Sequence, residues 1–381
     1  PYEVTAETTV FNSVERFKDE VVTGFSTWFD GDESALTEIR ERVGTGGSRA
    51  RGTGTVGLFE GDEFVTPAGT LTGEGWTEDP DTVFVDRLAG AGVRDAWTVE
   101  EGFDGSDVSG VLERLPGIHV SGEFLTVLGW FYAAPLKPFV VERADYFPCL
   151  WLTGDVGAAK SKLRVLTRAF GTHGEPFRLT EPSKLFDVLR GSRSVPVWYD
   201  GYGSDEPSGR LDVFDDYCLR STRCVNARRE GRADALTAPV VVTGDDPCDA
   251  SLDDRSIGVD FVGAGGDIPA SHAQLVGRSY REDGELRHPD GVDLGAHAKA
   301  YYSWIAGKDR ATVGEIWDDC LRSAADVLES RDSDGSEGLH DVRVTLFGLR
   351  LYQSFAKDNG VEPSINRRRR NMDGIVATTD E

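Results

Sequence analysis

The octet Gly154-Asp155-Val156-Gly157-Ala158-Ala159-Lys160-Ser161 carries the sharpest chemical signal in this 381-residue chain. Its spacing is that of G-x-x-x-x-G-K-[ST], with Ala159 in place of the second glycine. A loop of this kind wraps a β-phosphate in backbone N–H groups, and the helix that follows adds positive potential at its N-terminus. Lys160 stands where the pattern's lysine reaches the β- and γ-phosphates, and Ser161 where its hydroxyl binds Mg²⁺. These residues therefore read as a site for ATP with Mg²⁺. If residue 159 needs a positive φ, the Cβ of alanine costs about 1 kcal/mol or more.

A phosphate loop needs a second acid for the cation, at the end of a neighbouring strand. The apolar run Val195–Tyr199 ends in Asp200, 40 residues after Lys160, and Asp200 is assigned that carboxylate role with Ser161 as its metal partner. Hydrolytic enzymes of this kind place a water-activating Glu next, where this chain has Gly201. Asp205, Glu206, Asp215 and Asp216 follow and read as a solvated acidic loop. Thr243 ends the run Pro239–Thr243 and is assigned a γ-phosphate or water contact, against a plain strand-end cap. Residues 220–232 are locally basic (Arg220, Arg223, Arg228, Arg229, Arg232). Arg232 is the preferred arginine for stabilising phosphate across a subunit boundary or gripping a nucleic-acid backbone, against a loop that merely offsets acid. Arg255 is a further arginine of this kind.

Elements must bring these side chains together. Cys149–Thr153, Val195–Tyr199, Pro239–Thr243 and Ile257–Phe261 are continuous apolar runs, the mark of strands buried on both faces, and helical stretches separate them. The spacing of Leu163, Leu166 and Phe170 predicts a helix directly after the octet. Phe124–Ala134 predicts a buried helix, 107–117 a short one, Thr312–Glu329 and 339–357 two late ones. Residues 46–98 are Gly- and Thr-rich, with short β-type runs and a turn at Pro67-Ala68-Gly69-Thr70. One amphipathic helical stretch is expected within 1–45 (Val14, Phe17, Val21, Val22, Phe25). The organisation expected is an α+β region 1–125, a core 126–267, and a helical region 268–381 with a polar linker at 330–338.

Composition bounds the setting. The net charge is −25, from 41 Lys+Arg against 66 Asp+Glu, with only 8 Lys among the bases. An acidic, Lys-poor surface stays hydrated where molar salt screens charge over a few ångström, so the acidity reports a saline solvent more than a ligand. In such salt the charge no longer argues against nucleic acid. With 39% hydrophobic residues the chain has material for a core. No run of 18 apolar residues and no basic-then-apolar leader occurs, which points to a cytoplasmic protein without a membrane. The lone methionine, Met372, suggests a piece of a longer chain. Five cysteines without a CxxC pair read as free thiols, and six histidines show no metal spacing.

Several runs resemble the primase–helicase-like ATPases of haloarchaea and their viruses and plasmids. These are Leu128–Leu136, Phe147-Pro148 with the octet, Pro196–Tyr202, Gly231–Asp234, Ala238–Gly244, Phe347–Tyr352 and, more weakly, Phe64–Leu71. The resemblance implies a RecA/AAA-like P-loop core, ATP turnover, a homo-oligomeric ring that includes the hexamer among its forms, and DNA as partner. The family pattern is similar to P-V-V-L-D-E-Y, so Gly201 removes the acid that activates water, and Ala159 departs in the loop. Loss of that acid slows hydrolysis by orders of magnitude and leaves binding intact. The expected function is thus an ATPase of a DNA-replication primase–helicase system. A degenerate nucleotide-binding module and a phosphotransferase are the alternatives. The run Arg367–Arg370 is either a DNA contact or a tail that offsets acid.

Overall fold

The computed structural model describes residues 8–22, 29–46, 50–60, 62–90, 93–97, 108–119, 122–154, 156–178, 182–203, 208–223, 236–248, 250–261, 269–282, 285–287, 292–329 and 338–363. Two compact units result, Pro1–Arg51 and Gly52–Glu381. In the first, the expected single helical stretch is divided. After a short 3₁₀ turn, α1 (Val14–Glu20) is capped by the Ser13 side chain, and α2 (Glu33–Gly46) follows. Val10, Phe17 and Leu36 form its small core. Phe25 lies outside the described residues.

The second unit begins with an antiparallel meander, β1 (Gly57–Phe59), β2 (Glu63–Thr66), β3 (Gly69–Thr72) and β4 (Gly75–Trp76). The expected turn at Pro67-Ala68 joins β2 to β3, and the Thr66 hydroxyl closes it by donating to the Gly69 carbonyl. Then come α3 (Val108–Arg114), α4 (Glu123–Ala133) and α5 (Lys137–Ala144). The stretch Glu123–Ala144 is long and apolar enough to cross a membrane, although no unbroken apolar run marked it in the sequence. Nearly all of it is buried inside the fold.

Four parallel strands form the central sheet: β5 (Cys149–Gly154), β6 (Val197–Tyr202), β7 (Val240–Gly244) and β8 (Ser256–Phe261), in the order β8-β5-β7-β6. The apolar runs are continuous because alternate residues feed two different cores. Leu150, Leu152, Trp198, Val241 and Val259 face one core, and Cys149, Trp151, Tyr199, Val240 and Val242 the other. The helix α6 (Val156–Ala169) follows β5 directly and adds Leu163 and Leu166 to the first core. Behind the second core stand α7 (Pro182–Gly191) and α8 (Ser208–Arg223). The stretch read as a solvated acidic loop is therefore helical where described, and Asp215 accepts a hydrogen bond from the Tyr202 hydroxyl at 3.1 Å.

The chain ends in α9 (Leu294–Ala306), α10 (Arg310–Glu329) and α11 (Leu339–Asp358), so the expected helical C-terminal region is present. The fold is mixed α/β with a parallel sheet. Helix α11 lies against α4 in backbone contact, because a Cβ on Gly348 would meet the Gly129 carbonyl.

Candidate functional site

Parallel pairing lines up the C-terminal ends of the strands. Asp200 on β6 is registered with Thr243 on β7, and Thr243 with Leu152 on β5. One and a half turns of α6 then bring Lys160 back over this edge. Its ammonium lies 2.9 Å from Asp200 Oδ1. Asp200 is 5% exposed and Lys160 36%, so one partner is fixed in the fold and the other can leave. The Thr243 hydroxyl donates to the same Asp200 oxygen at 2.7 Å and accepts from the Trp198 indole N–H at 3.0 Å. Three residues picked out from sequence, Lys160, Asp200 and Thr243, thus meet at one carboxylate oxygen. Trp198, which orients the Thr243 hydroxyl, was not singled out. Its position two residues before Asp200, on the opposite face of the sheet from Tyr199, was the available signal.

Gly154 closes β5 with φ +83°, a backbone that favours glycine. A Cβ there would strike the Asp260 carboxylate and sit 2.7 Å from the Phe261 carbonyl oxygen. Asp260, near the end of β8, is thus an acid beside the loop that sequence reading missed. The connection itself is tighter than the motif predicts. Only Asp155 separates Gly154 from Val156, the first residue of α6, and Asp155 lies outside the described residues. Val156, Gly157, Ala158 and Ala159 form the first helical turn, whose backbone N–H groups have no partner within the helix. Ala159 therefore has a helical backbone, and the strain anticipated for a Cβ at a positive φ does not arise.

Ser161 lies one residue further along. Its hydroxyl accepts from Lys162 at 3.1 Å, and its carbonyl faces His272 Nε2 at 3.3 Å. Burial lowers the His272 pKa, and Lys162 and Arg278 add to the effect against the bond to Ser161. His119 is lowered by burial and by Lys162 too. Both rings are buried beside the loop helix and favour the neutral form.

Other assignments are not brought to this site. Arg255 precedes β8 at the opposite end of the sheet, where its carbonyl accepts from the Cys149 N–H. Six strand residues at about 3.3 Å each put it roughly 17–20 Å from the octet of its own chain. Its guanidinium lies over the Tyr146 ring, 4.4 Å from the centroid. Arg232 lies outside the described residues, as do Arg228, Arg229 and Arg367–Arg370. Gly201 has φ +98°, and a Cβ on it would meet nothing within 4 Å. There is room for a side chain there, but the backbone disfavours one. Among the described residues, no group of three or more His, Cys, Asp or Glu is arranged to hold a metal ion.

The site is that of an α/β protein with a strand–glycine–helix turn and a Lys–Asp–Thr constellation at the C-terminal edge of a parallel sheet. No family model matches the chain, and no curated protein matches it. Among solved structures it is similar to "SCCmec type IV Cch - active helicase". The TM-score is 0.51 at 11% identity, over 98% of this chain and 68% of that one. At that identity the likeness concerns the fold.

Proposed function

We propose that this chain is a nucleotide-dependent, helicase-like P-loop ATPase module that binds Mg·ATP at the C-terminal edge of its parallel sheet. The observation that carries this is the meeting of Lys160, Asp200 and Thr243 behind a strand–glycine–helix turn of phosphate-loop sequence. Anions gather at helix N-termini because the first N–H groups point outward, and Val156–Ala159 supply them. Lys160 leaves Asp200 for the β- and γ-phosphates. Asp200 and the Ser161 hydroxyl, both oxygen donors, suit a hard divalent cation, and bound Mg²⁺ would neutralise phosphate charge. Thr243 directs its hydroxyl toward the γ-phosphate side of Asp200.

The helicase among its structural neighbours and the resemblance to haloarchaeal and viral primase–helicase ATPases favour DNA as partner and a ring of subunits. In such a ring Arg232 or Arg255 acts on a neighbour's nucleotide. One observation favours the second reading, binding without efficient turnover: the Gly201 backbone leaves no water-activating acid after Asp200.

The test is calorimetric titration of Mg·ATP, then steady-state turnover with and without single-stranded DNA, in KCl up to about 3 M, the range where an acidic surface of this kind is adapted. Wild type is expected to bind Mg·ATP, and Lys160→Ala to bind it at least tenfold more weakly with an unchanged melting temperature. Absence of wild-type binding overturns the proposal. Binding with turnover at background selects the second reading. Size-exclusion chromatography with ATP separates a ring from a monomeric phosphotransferase.

A further inference from the structure

A cavity of about 440 Å³ opens beside the outer edge of β6, toward the start of the strand and away from the octet. Trp97, Val188, Val195 and Trp198 are among its walls, and apolar surface predominates. Its hydroxyls are already committed: Thr167 donates to Leu163, Thr172 to Thr167 and Ser192 to Val195, all to backbone oxygens. Among the described lining residues, the interior therefore offers a ligand mainly apolar contact, and the ionisable side chains, Arg178, His173 and Glu175, are exposed. The Glu175 carboxylate is already paired with Arg164 at 3.4 Å. Arg178 is an exposed cation among the described lining residues. The size lies within the range of small-molecule sites.

This cavity reaches the Lys–Asp–Thr constellation through bonds. Trp198 lines it and donates its indole N–H to Thr243, which donates to Asp200, which pairs with Lys160. Phe177, another lining residue, pairs with β6 on both sides: its N–H donates to the Trp198 carbonyl, and its carbonyl accepts from the Asp200 N–H. Thr167 is on α6, the helix that carries Lys160. Whatever fixes the Trp198 indole also fixes which acceptor the single Thr243 proton serves. That choice lies between Asp200 Oδ1 at 2.7 Å and the Tyr199 carbonyl at 3.4 Å.

We infer that this cavity is an effector site for a small apolar carboxylate, held by its body between the tryptophans and by its charge at Arg178, and coupled to nucleotide affinity through Trp198 and Thr243. The coupling half rests on the nucleotide reading above; the ligand half does not.

The probes are phenylacetate, 2-naphthoate and indole-3-acetate with their neutral amides, titrated calorimetrically into the full chain at one fixed KCl concentration. At least one carboxylate is expected to bind saturably and at least fivefold tighter than its amide. Arg178→Gln, a substitution at an exposed position, should bring acid and amide within twofold of each other with the melting temperature unchanged. Saturating probe should change the Mg·ATP Kd about fivefold, and Mg·ATP must change the probe Kd by the same factor. Trp198→Phe, which keeps an aromatic wall and removes the indole N–H, should retain saturable, carboxylate-preferring probe binding at reduced affinity and lose the mutual effect. Retained saturable probe binding by Trp198→Phe reports that the variant is folded. No saturable binding by any of the three acids, equal binding of acid and amide, or an unchanged Mg·ATP Kd at saturation overturns the inference. If Mg·ATP does not bind at all, the nucleotide reading and the coupling fall together, while the carboxylate preference at Arg178 is still read.

Discussion

The Thr243 hydroxyl has one proton and sits between an indole N–H and a carboxylate, so its geometry is directional. Thr243→Val keeps the shape and removes both bonds, orphaning the Trp198 donor in a buried site. A loss of about 1–3 kcal/mol is expected by urea unfolding, with Thr243→Ser close to wild type. The two glycines flanking this site test backbone against space. At Gly201 the cost of a side chain is conformational alone, since a Cβ meets nothing within 4 Å. Gly201→Ala and Gly201→Glu should therefore lose the same amount, about 1–2 kcal/mol. Gly154→Ala adds a collision with Asp260 and the Phe261 backbone and should lose clearly more. Equal losses at 154 and 201 would contradict this account. That Lys160 and Asp200 come together was legible from sequence, because the octet places the lysine one turn into a helix after a strand and the acid stands at the end of another buried run. Asp260 and Trp198 were not, because they reach the site through strand register, which a single chain's pattern does not display. Arg255 opens β8, so in a parallel sheet it stands at the end away from the octet of its own chain, and a role for it could only be across a subunit boundary.

At the level of elements, the four buried strands were readable within three residues, since each feeds both cores and so reads as uninterrupted apolar sequence. Helix α8 was not, because acid on its outer face hid the buried Phe214 and Cys218. Helix α9 shows how the C-terminal region is fastened to the sheet layer. Its His297 faces the Ala169 carbonyl at the end of α6 with Nδ1 at 2.8 Å, and the Tyr132 hydroxyl on α4 with Nε2 at 2.7 Å. A carbonyl only accepts, so Nδ1 carries the proton and Nε2 accepts from the tyrosine. Burial pushes the His297 pKa down to about 4, against the partial support of the bond to Ala169. The folded state thus stays neutral where the unfolded chain takes a proton, and stability falls as pH drops from about 6.5 to about 4. The full linkage is on the order of 3 kcal/mol. His297→Gln should flatten that part of the stability–pH curve relative to wild type. Denaturation midpoints at pH 4, 5, 6 and 7 check it, and parallel curves for the two proteins would refute it. His340, also lowered to about 4 by burial, acts in the same direction and remains in both.

Across the whole second unit, the sheet and the late helices share one core. Leu150 and Leu152 of β5, Phe131 of α4, and Phe347 and Tyr352 of α11 belong to a single cluster. Lys137, buried at the start of α5, donates to the carbonyls of Ser221, Thr237 and Ala238 and so joins the end of α8 to the approach to β7. The tightest junction is the α4–α11 crossing, where Gly129 and Gly348 let the backbones touch. Gly129 and Gly348 lie more than 200 positions apart, and the pattern of a single chain does not display such a pairing. Cooperativity follows from this packing. A Cβ at 348 must push α11 off α4, and overpacking of that kind costs about 1–3 kcal/mol. Because α4 also packs against β8, the loss should be felt in the sheet. Gly348→Ala is therefore expected to speed amide exchange in peptides from β5 and from α11 by the same factor, read by mass spectrometry under conditions where exchange requires opening of the whole unit. Faster exchange in α11 with β5 unchanged would mean that the C-terminal helices open on their own, and that the sheet with Asp200 and Thr243 stands without them.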